Sequence, residues 1–197
     1  KKNFEEQYGV KILENYGLTE TFFISTNTTT KISEHSVGQI LPSVQIQITE
    51  DDQILKNDKE GEIEIKSPFL AKKYLQNNDD TFKSLQNNDW FKTGDLGYVS
   101  ENNEIFITGR KKDLIIRSGI NISPLSIENI LYTHPDIREC AVVGIPHKFQ
   151  GEEIICVVSL KSENDFEIIK KELFELCDKE LSTIKKPSKI LSLSELP

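Results

Sequence analysis

The sequence predicts an α+β fold in two unequal parts, a β-rich part followed by a smaller mixed part. Short apolar runs that alternate with polar residues fill much of the chain and indicate strands. A long apolar stripe at helical spacing begins only at Asp165, which indicates a late helix. The chain has 197 residues, so both parts can bury a core.

Composition excludes several classes of function. The net charge of −8 comes from 24 basic and 32 acidic residues, and it disfavours nonspecific binding to nucleic acids or acidic membranes. The 3 cysteines lack CxxC spacing, so they indicate reduced thiols rather than a disulfide framework or a zinc site. No apolar run approaches the ~20 residues of a membrane-spanning helix. We therefore expect a cytoplasmic protein with neither a nucleic-acid partner nor a transmembrane segment.

The first elements are a short helix and a short strand. Residues 1–8 predict a helix that ends at Gly9, and residues 10–13 predict a strand. A polar loop with the text YGLTE would follow this strand at residues 16–20. Residues 25–36 are rich in Thr, Ser and Asn without periodicity, and they predict a further loop.

Two alternating runs predict an antiparallel pair of strands. Residues 44–48 and 62–66 each place β-branched apolar residues on one face and polar residues on the other. We expect the polar face of this pair to lie in water. Residues 50–52 are acidic, and we interpret them as a solvated turn because no regularly spaced acidic or histidine partner accompanies them.

A β-hairpin leads into the most chemically dense stretch of the chain. Residues 97–99 and 104–107 flank the polar turn 101–103, where asparagine tolerates positive φ. Beyond the second strand, Gly109 lets backbone approach a ligand and Arg110 can hold ligand oxygens in a two-pronged geometry. On local chemistry alone, the same residues also fit a glycine turn with a solvated arginine.

The later patterns describe the smaller mixed part. They predict strands at residues 113–117, 141–145, 153–160 and 189–193, a helix capped by Ser123 and a long helix from Asp165. The histidines are His35, His134 and His147. A loop histidine and a catalytic base are the two alternatives for His147, and we interpret it as a loop histidine because no nucleophile or acid accompanies it; we interpret His35 and His134 in the same way.

Three motifs stand in a recognisable order. YGLTE covers residues 16–20, TGDLG covers residues 93–97 and ITGRKKDLI covers residues 107–115. Together they resemble the adenylate-forming superfamily of acyl- and aryl-CoA synthetases, peptide-synthetase adenylation domains and beetle luciferases. The resemblance extends over nearly the whole chain, and AKKYLQNNDDTF at residues 71–82 is similar to the family segment that precedes WFxTGD.

The resemblance implies which residues bind the nucleotide. These would be Tyr16, Gly17, Thr19, Asp95, Ile107 and Arg110. Thr19 at the α-phosphate and Glu20 on Mg²⁺ would be the catalytic pair, and a carboxylate is the hard oxygen ligand that this ion prefers. Asp95 would accept hydrogen bonds from both ribose hydroxyls. Without the resemblance, Asp95 also fits a turn carboxylate that caps backbone amides.

The resemblance further implies a movable second domain. Residues 1–111 would form the C-terminal portion of the AMP-binding N-terminal domain, and residues 112–197 would form a small mobile α+β C-terminal domain. Lys112 would be the hinge between adenylation and thioester formation. Ser118 and Gly119 would face the pantetheine of CoA. By its local chemistry alone, Lys112 is also a solvated loop lysine.

The implied function is an ATP-dependent ligase that joins a fatty or aryl acid to CoA through an acyl-adenylate, with ATP, Mg²⁺ and CoA. One alternative is an adenylation enzyme that loads an acyl or amino acid onto the phosphopantetheine of a carrier protein. Another is a non-catalytic nucleotide-binding homologue. The family's phosphate loop would precede Lys1 and its adenylation lysine would follow Pro197. We therefore expect this chain to be an inactive piece of a longer enzyme.

Overall fold

The structure, a computed structural model, describes residues 2–28, 33–74, 86–87, 89–162 and 165–196. The chain forms two compact units, Lys1–Lys111 and Lys112–Pro197. Strands dominate the first unit, and the second combines one sheet with two helices, so the predicted α+β class is confirmed. Among the described residues, no helix combines the length and apolar character that crossing a bilayer requires.

The first unit begins with a helix and a small antiparallel sheet. Its elements are α1 (Lys2–Tyr8), β1 (Asn15–Leu18), β2 (Phe22–Thr26) and β3 (Gln39–Ile40), and the sheet order is β1-β2-β3. Helix α1 ends before Gly9, whose φ of +64° a glycine adopts without strain, as predicted.

Two sequence predictions for this region are wrong in part. The strand expected at residues 10–13 does not form, because Val10 and Leu13 remain exposed. The chain instead enters a strand at Asn15, where Tyr16 becomes buried and pairs with Ser25 of β2. The loop expected at residues 25–36 begins later than predicted, since β2 runs to Thr26; residues 29–32 lie outside the described residues.

A second, six-stranded sheet follows among the described residues of the first unit. Its strands are β4 (Gln45–Glu50), β5 (Gln53–Ile54), β6 (Gly61–Lys66), β7 (Gln86–Asn87), β8 (Trp90–Val99) and β9 (Ile105–Arg110). The order is β5-β4-β6-β8-β7, with β9 also paired to β8, and every pairing is antiparallel. The predicted hairpin is confirmed as β8–β9, and its turn residue Asn103 has φ +58°. Of the AKKYLQNNDDTF segment, residues 75–82 lie outside the described residues.

The predicted antiparallel pair is confirmed as β4 and β6, but its solvated polar face is wrong for β6. Strand β6 lies between β4 and β8, and Glu64 is only 1% exposed. The Glu64 carboxylate accepts hydrogen bonds from Gln47 Nε2 at 2.7 Å and Thr49 Oγ1 at 3.0 Å. Lys111 Nζ donates to the buried carboxylate of Glu62 at 2.7 Å. Pairing of this kind offsets the cost of burying charge. The alternation of polar and apolar residues in β6 therefore does not mean that its polar face lies in solvent.

Of the acidic residues 50–52, Asp51 and Asp52 form the turn between β4 and β5, and Glu50 is the last residue of β4. Asp51 and Asp52 have φ of +48° and +61°, the left-handed pair that a two-residue hairpin turn requires. Asp52 Oδ1 accepts a hydrogen bond from Lys92 Nζ at 2.8 Å. The turn is therefore an architectural feature.

A 3₁₀ turn, Lys111–Asp113, contains the last residue of the first unit and the first residues of the second. The described residues of the second unit then fold as a mixed sheet with two helices. Its elements are β10 (Ile115–Arg117), β11 (Ile120–Ile122), α2 (Pro124–Leu131), β12 (Ile137–His147), β13 (Gly151–Leu160), α3 (Phe166–Glu180) and β14 (Lys189–Ser192). The order is β11-β10-β13-β12, and β14 runs parallel to β13.

The two helices are confirmed, and several strand limits differ from the prediction. Strands β12 and β13 are longer than expected because their pairing continues to His147 and Gly151 at the connecting turn. Strand β10 is shorter than predicted, because Asp113 belongs to the 3₁₀ turn and the strand begins only at Ile115. Asp165 caps α3 by accepting a hydrogen bond from the Glu167 amide at 3.0 Å, whereas the Ser123 side chain makes no capping bond to α2.

The helices cover one face of the sheet and enclose the core of the second unit. From α3 this core includes Ile169, Leu173 and Cys177. The three cysteines are free and buried. Burial raises the pKa of the Cys177 thiol to about 11 and that of Cys140 to about 12, so both thiols stay protonated near neutral pH.

We expect truncation of the α3 stripe to destabilise the second unit. Leu173 is 0% exposed, so Leu173→Ala removes buried methyl groups and leaves a cavity, at a cost of about 2–5 kcal/mol in the free energy of unfolding. Urea unfolding followed by circular dichroism measures the change. Ile168, on the same helix, is 60% exposed, so Ile168→Ala serves as the control and should stay within about 0.5 kcal/mol of the parent. Equal effects would contradict the assigned helix face.

Candidate functional site

Three residues from the three sequence motifs meet at one carboxylate in the first unit. Tyr16 of β1 donates its hydroxyl to Asp95 Oδ2 at 2.6 Å. Arg110 Nε of β9 lies 2.9 Å from Asp95 Oδ1. Asp95 itself belongs to β8, so residues separated by 79 positions in sequence share a hydrogen bond.

Strand pairing places these side chains. Asp95 and Arg110 are direct partners in the β8–β9 register. Thr93 fixes β8 just before the site, since its Oγ1 donates to the Ile63 carbonyl at 2.7 Å and accepts from the Asp95 amide at 3.0 Å. Gly94 between them has φ +74°, a backbone conformation that side chains rarely adopt. The TGD text therefore has a local structural reason as well as a chemical one.

The charges at this carboxylate are balanced. Asp95 is 3% exposed, and the adjacent guanidinium offsets the cost of burying its charge. Burial, together with the hydrogen bond to Asp95, raises the pKa of Tyr16 far above its ordinary value, so the hydroxyl remains a donor. A carboxylate has about four lone-pair sites, and the two partners occupy two of them. Asp95 keeps acceptor capacity for ligand hydroxyls.

The rest of YGLTE forms the turn after β1. Thr19 is exposed and Glu20 is half-buried, while Thr21 is buried and its hydroxyl accepts from the Leu18 amide at 3.3 Å. Tyr74 donates its hydroxyl to Glu20 Oε1 at 2.6 Å. This hydrogen bond is the main reason that the pKa of Tyr74 rises to about 12. The sequence reading gave Tyr74 no role, although it lies within the AKKYLQNNDDTF segment.

Two further predicted nucleotide residues have identifiable structural roles. A Cβ on Gly17 would lie 2.4 Å from the carbonyl oxygen of Phe22, so the β1–β2 hairpin already requires glycine there. Ile107 is half-buried on β9 and packs against the core of the first unit. The buried members of that core are Tyr16, Ile24, Val44, Ile48, Ile63, Ile65, Val99 and Ile105.

The other predicted residues belong to the second unit. Lys112 is exposed within the 3₁₀ turn and is the first residue of that unit. Ser118 and Gly119 form the tight turn between β10 and β11, with φ of +51° and +79°. The Ser118 amide donates to the Gln150 carbonyl at 2.7 Å, which holds the exposed turn in place.

Each of the three histidines has a partner within its own unit. His134 Nε2 lies 3.0 Å from Glu172 Oε2, and His35 lies near Glu34 in an exposed turn. His147 Nδ1 accepts from the amides of residues 149 and 150, within the turn that joins β12 to β13. In the part of the chain that the structure describes, no group of three or more His, Cys, Asp or Glu residues is arranged to hold a metal ion.

Comparison with known proteins shows two family matches. Residues 1–75 match the sequence model described as AMP-binding enzyme. Residues 126–197 match the model described as AMP-binding enzyme C-terminal domain. The two matches lie in separate units of the chain and in the order that the motifs predict.

Individual relatives agree with these matches. Oxalate–CoA ligase of Arabidopsis thaliana is 32% identical over 98% of the chain, and 2-succinylbenzoate–CoA ligase of Bacillus cereus strain Q1 is 34% identical over 96%. The chain spans only 38% and 39% of the length of these two relatives.

Solved structures of one relative are also similar. The o-succinylbenzoate CoA synthetase of Bacillus subtilis, in complex with its acyl-adenylate intermediate, matches 99% of the chain with a TM-score of 0.84 at 31% identity. The same protein with ATP and magnesium ion matches with a TM-score of 0.82 at 32% identity. The chain covers 40% of each of these structures.

We expect Tyr16 to resist ionisation in the folded protein. At about pH 11 an ordinary tyrosine is mostly phenolate, because its pKa is about 10, whereas the raised pKa keeps Tyr16 neutral. Tyr16→Phe should therefore leave the phenolate absorbance of the folded protein unchanged at this pH. After unfolding in urea at this pH, the phenolate absorbance of the variant should be lower than that of the parent by the share of one tyrosine in five.

The sign of the stability change follows from the same shift. The folded state holds the Tyr16 proton more tightly than the unfolded state does. The contribution of Tyr16 to the free energy of unfolding is therefore complete below about pH 10 and falls as the pH rises further. Circular dichroism at each pH verifies that the protein remains folded. A lower phenolate signal from the folded variant than from the folded parent would contradict the buried Tyr16–Asp95 hydrogen bond.

Proposed function

Because the chain belongs to the AMP-binding enzymes, we propose that it works as part of a ligase that joins a carboxylic acid to CoA. In the first step a carboxylate oxygen attacks the α-phosphorus of ATP and the bond to pyrophosphate breaks, which yields an acyl-adenylate. In the second step a thiol attacks the acyl carbon and AMP leaves. The observation that carries this proposal is the meeting of Tyr16 and Arg110 on Asp95, which joins all three sequence motifs in one site.

The site assigns different tasks to its two carboxylates. Asp95 is neutralised by Arg110, so its remaining lone pairs suit neutral donors such as ribose hydroxyls. Glu20 forms no ion pair with any described residue, so in the proposed site no neighbouring cationic side chain competes with a metal ion for its carboxylate. Arg110 has a half-exposed side chain that can also meet phosphate oxygens. In this proposal Tyr16, Gly17, Thr19 and Ile107 complete the nucleotide site.

Glu20 fits the donor chemistry of Mg²⁺. This ion is usually held by one or two carboxylates together with substrate phosphates and waters, rather than by a cage of protein ligands. One half-buried carboxylate in an exposed turn, beside the Thr19 hydroxyl, meets that description. Mg²⁺ would neutralise phosphate charge when bound. Glu20 would hold it, and Thr19 would donate a hydrogen bond to the α-phosphate.

The second unit supplies the features for the thiol step. The structure divides between Lys111 and Lys112, which supports our proposal that residues 112–197 act as a mobile C-terminal domain with Lys112 at its hinge. Ser118 and Gly119 present an exposed backbone turn to the pantetheine of CoA. We take CoA as the thiol because the relatives are named as CoA ligases. We also propose a cytoplasmic location, since free buried thiols suit a reducing compartment.

The proposal predicts carboxylate-dependent exchange of pyrophosphate into ATP by the full-length protein that contains this chain. The acid panel begins with aryl and short dicarboxylic acids, because the relatives named above act on such acids by name, and it continues to fatty acids. Asp95→Asn removes the charge that Tyr16 and Arg110 hold, and we expect exchange to fall at least about tenfold.

Asp51→Asn is the matched control. Asp51 lies in the exposed β4–β5 turn, and asparagine tolerates its positive φ, so exchange should be unchanged. Equal exchange activity of the two variants would show that Asp95 is not part of the site. If the protein binds ATP but exchanges pyrophosphate with no acid, the ligase proposal is wrong. If the protein forms a thioester on a purified carrier protein in preference to CoA, the acceptor is the carrier protein and not CoA.

A further inference from the structure

One chain segment holds Glu20 by both its backbone and its side chain. The segment follows β6 and covers residues 67–74, starting with a turn in which the Leu70 amide donates to the Ser67 carbonyl at 3.3 Å. The Ala71 amide donates to the Glu20 carbonyl oxygen at 2.7 Å. Tyr74 donates its hydroxyl to Glu20 Oε1 at 2.6 Å.

These two contacts fix different degrees of freedom. The backbone bond from Ala71 fixes the position of the turn after β1. The Tyr74 bond fixes the direction of the glutamate side chain, which otherwise has several rotatable bonds and loses much rotamer freedom when it is ordered. Because one carboxylate oxygen accepts the tyrosine hydroxyl, Oε2 and the remaining lone pair of Oε1 stay available for a cation.

The kind of donor matters for this carboxylate. A lysine or arginine at the position of Tyr74 would neutralise the glutamate and compete with a bound cation, as Arg110 neutralises Asp95. A phenol hydroxyl orients the oxygen while adding no positive charge. Groups that hydrogen-bond to metal ligands in this way commonly set ligand orientation and metal affinity.

We propose that Tyr74 is a positioning residue, which holds the Glu20 carboxylate in the orientation that binds the metal ion of the metal–ATP complex. This inference rests on the function proposed above, and it assigns a specific task to a tyrosine outside the three motifs. A residue with a purely architectural role would affect nucleotide binding with and without metal to the same extent. Tyr74 instead affects only the part of ATP affinity that depends on the metal.

The test measures binding rather than turnover, with the full-length protein and no carboxylic acid present. Calorimetry gives the Kd for ATP once with excess chelator and once with saturating Mg²⁺, and the ratio of the two is the metal-dependent gain. We expect Tyr74→Phe to reduce this gain roughly tenfold and to leave the Kd in chelator unchanged. The matched control is Tyr98→Phe, which removes the hydroxyl from a tyrosine that stacks on Phe106 at 4.8 Å.

A double-mutant cycle separates action through Glu20 from any other effect. Glu20→Gln alone should remove most of the gain, and adding Tyr74→Phe to that variant should change nothing further. Thermal unfolding of each variant verifies that it is folded. Substitution of Mn²⁺ for Mg²⁺ adds a spectroscopic reading, because the electron paramagnetic resonance spectrum of bound Mn²⁺ should change with Tyr74→Phe and not with Tyr98→Phe.

The outcomes distinguish failure of this inference from failure of the proposed function. An unchanged gain in Tyr74→Phe, or an equal loss of affinity with and without metal, overturns the role of Tyr74 and leaves the ligase proposal intact. A parent protein that binds ATP with no metal-dependent gain overturns the metal role of Glu20 and therefore that of Tyr74. A parent protein that binds no ATP at all contradicts the ligase proposal, and this inference falls with it.

Discussion

The carboxylate of Asp95 is held from two sides, by a tyrosine of the small sheet and by an arginine of the large one, and the first unit is arranged around that contact. Tyr16 is a core residue, so its hydroxyl has to find an acceptor inside the protein. Arg110 has to compensate a charge that is almost fully removed from water. Removing any one of the three leaves a buried polar group without its partner, which is costly. The interaction therefore constrains both the packing of the two sheets and the chemistry at their junction.

The sequence predicted those features that depend on local pattern. The β8–β9 hairpin follows from an asparagine turn between two short apolar runs, and helix α3 follows from its apolar stripe and its Asp165 cap. Motif resemblance identified Asp95 and Arg110 as members of one site. Residue pattern alone could not predict that Tyr16 also contacts the Asp95 carboxylate, because Tyr16 lies 79 positions earlier in the chain.

The failures have a common physical cause, which is the effect of distant partners on local pattern. Glu64 alternates with isoleucine as the polar residues of a half-exposed strand do. A neighbouring strand on each side and hydrogen bonds from the side chains of Gln47 and Thr49 nevertheless compensate its burial. The first strand was expected too early because Val10 and Leu13 are apolar, yet both remain exposed. Tyr74 was overlooked since its hydroxyl meets Glu20 across 54 residues of chain.

The buried cysteines have a practical consequence for the study of this chain. In the proposed ligase, thioester formation would consume the free thiol of CoA, and a colorimetric thiol reagent could follow that consumption directly. Such reagents react with accessible thiolates, whereas the thiols of Cys140, Cys156 and Cys177 are buried and have raised pKa values. While the second unit stays folded, these three residues contribute little background, so a slow rise in signal without CoA becomes a direct reading of its unfolding.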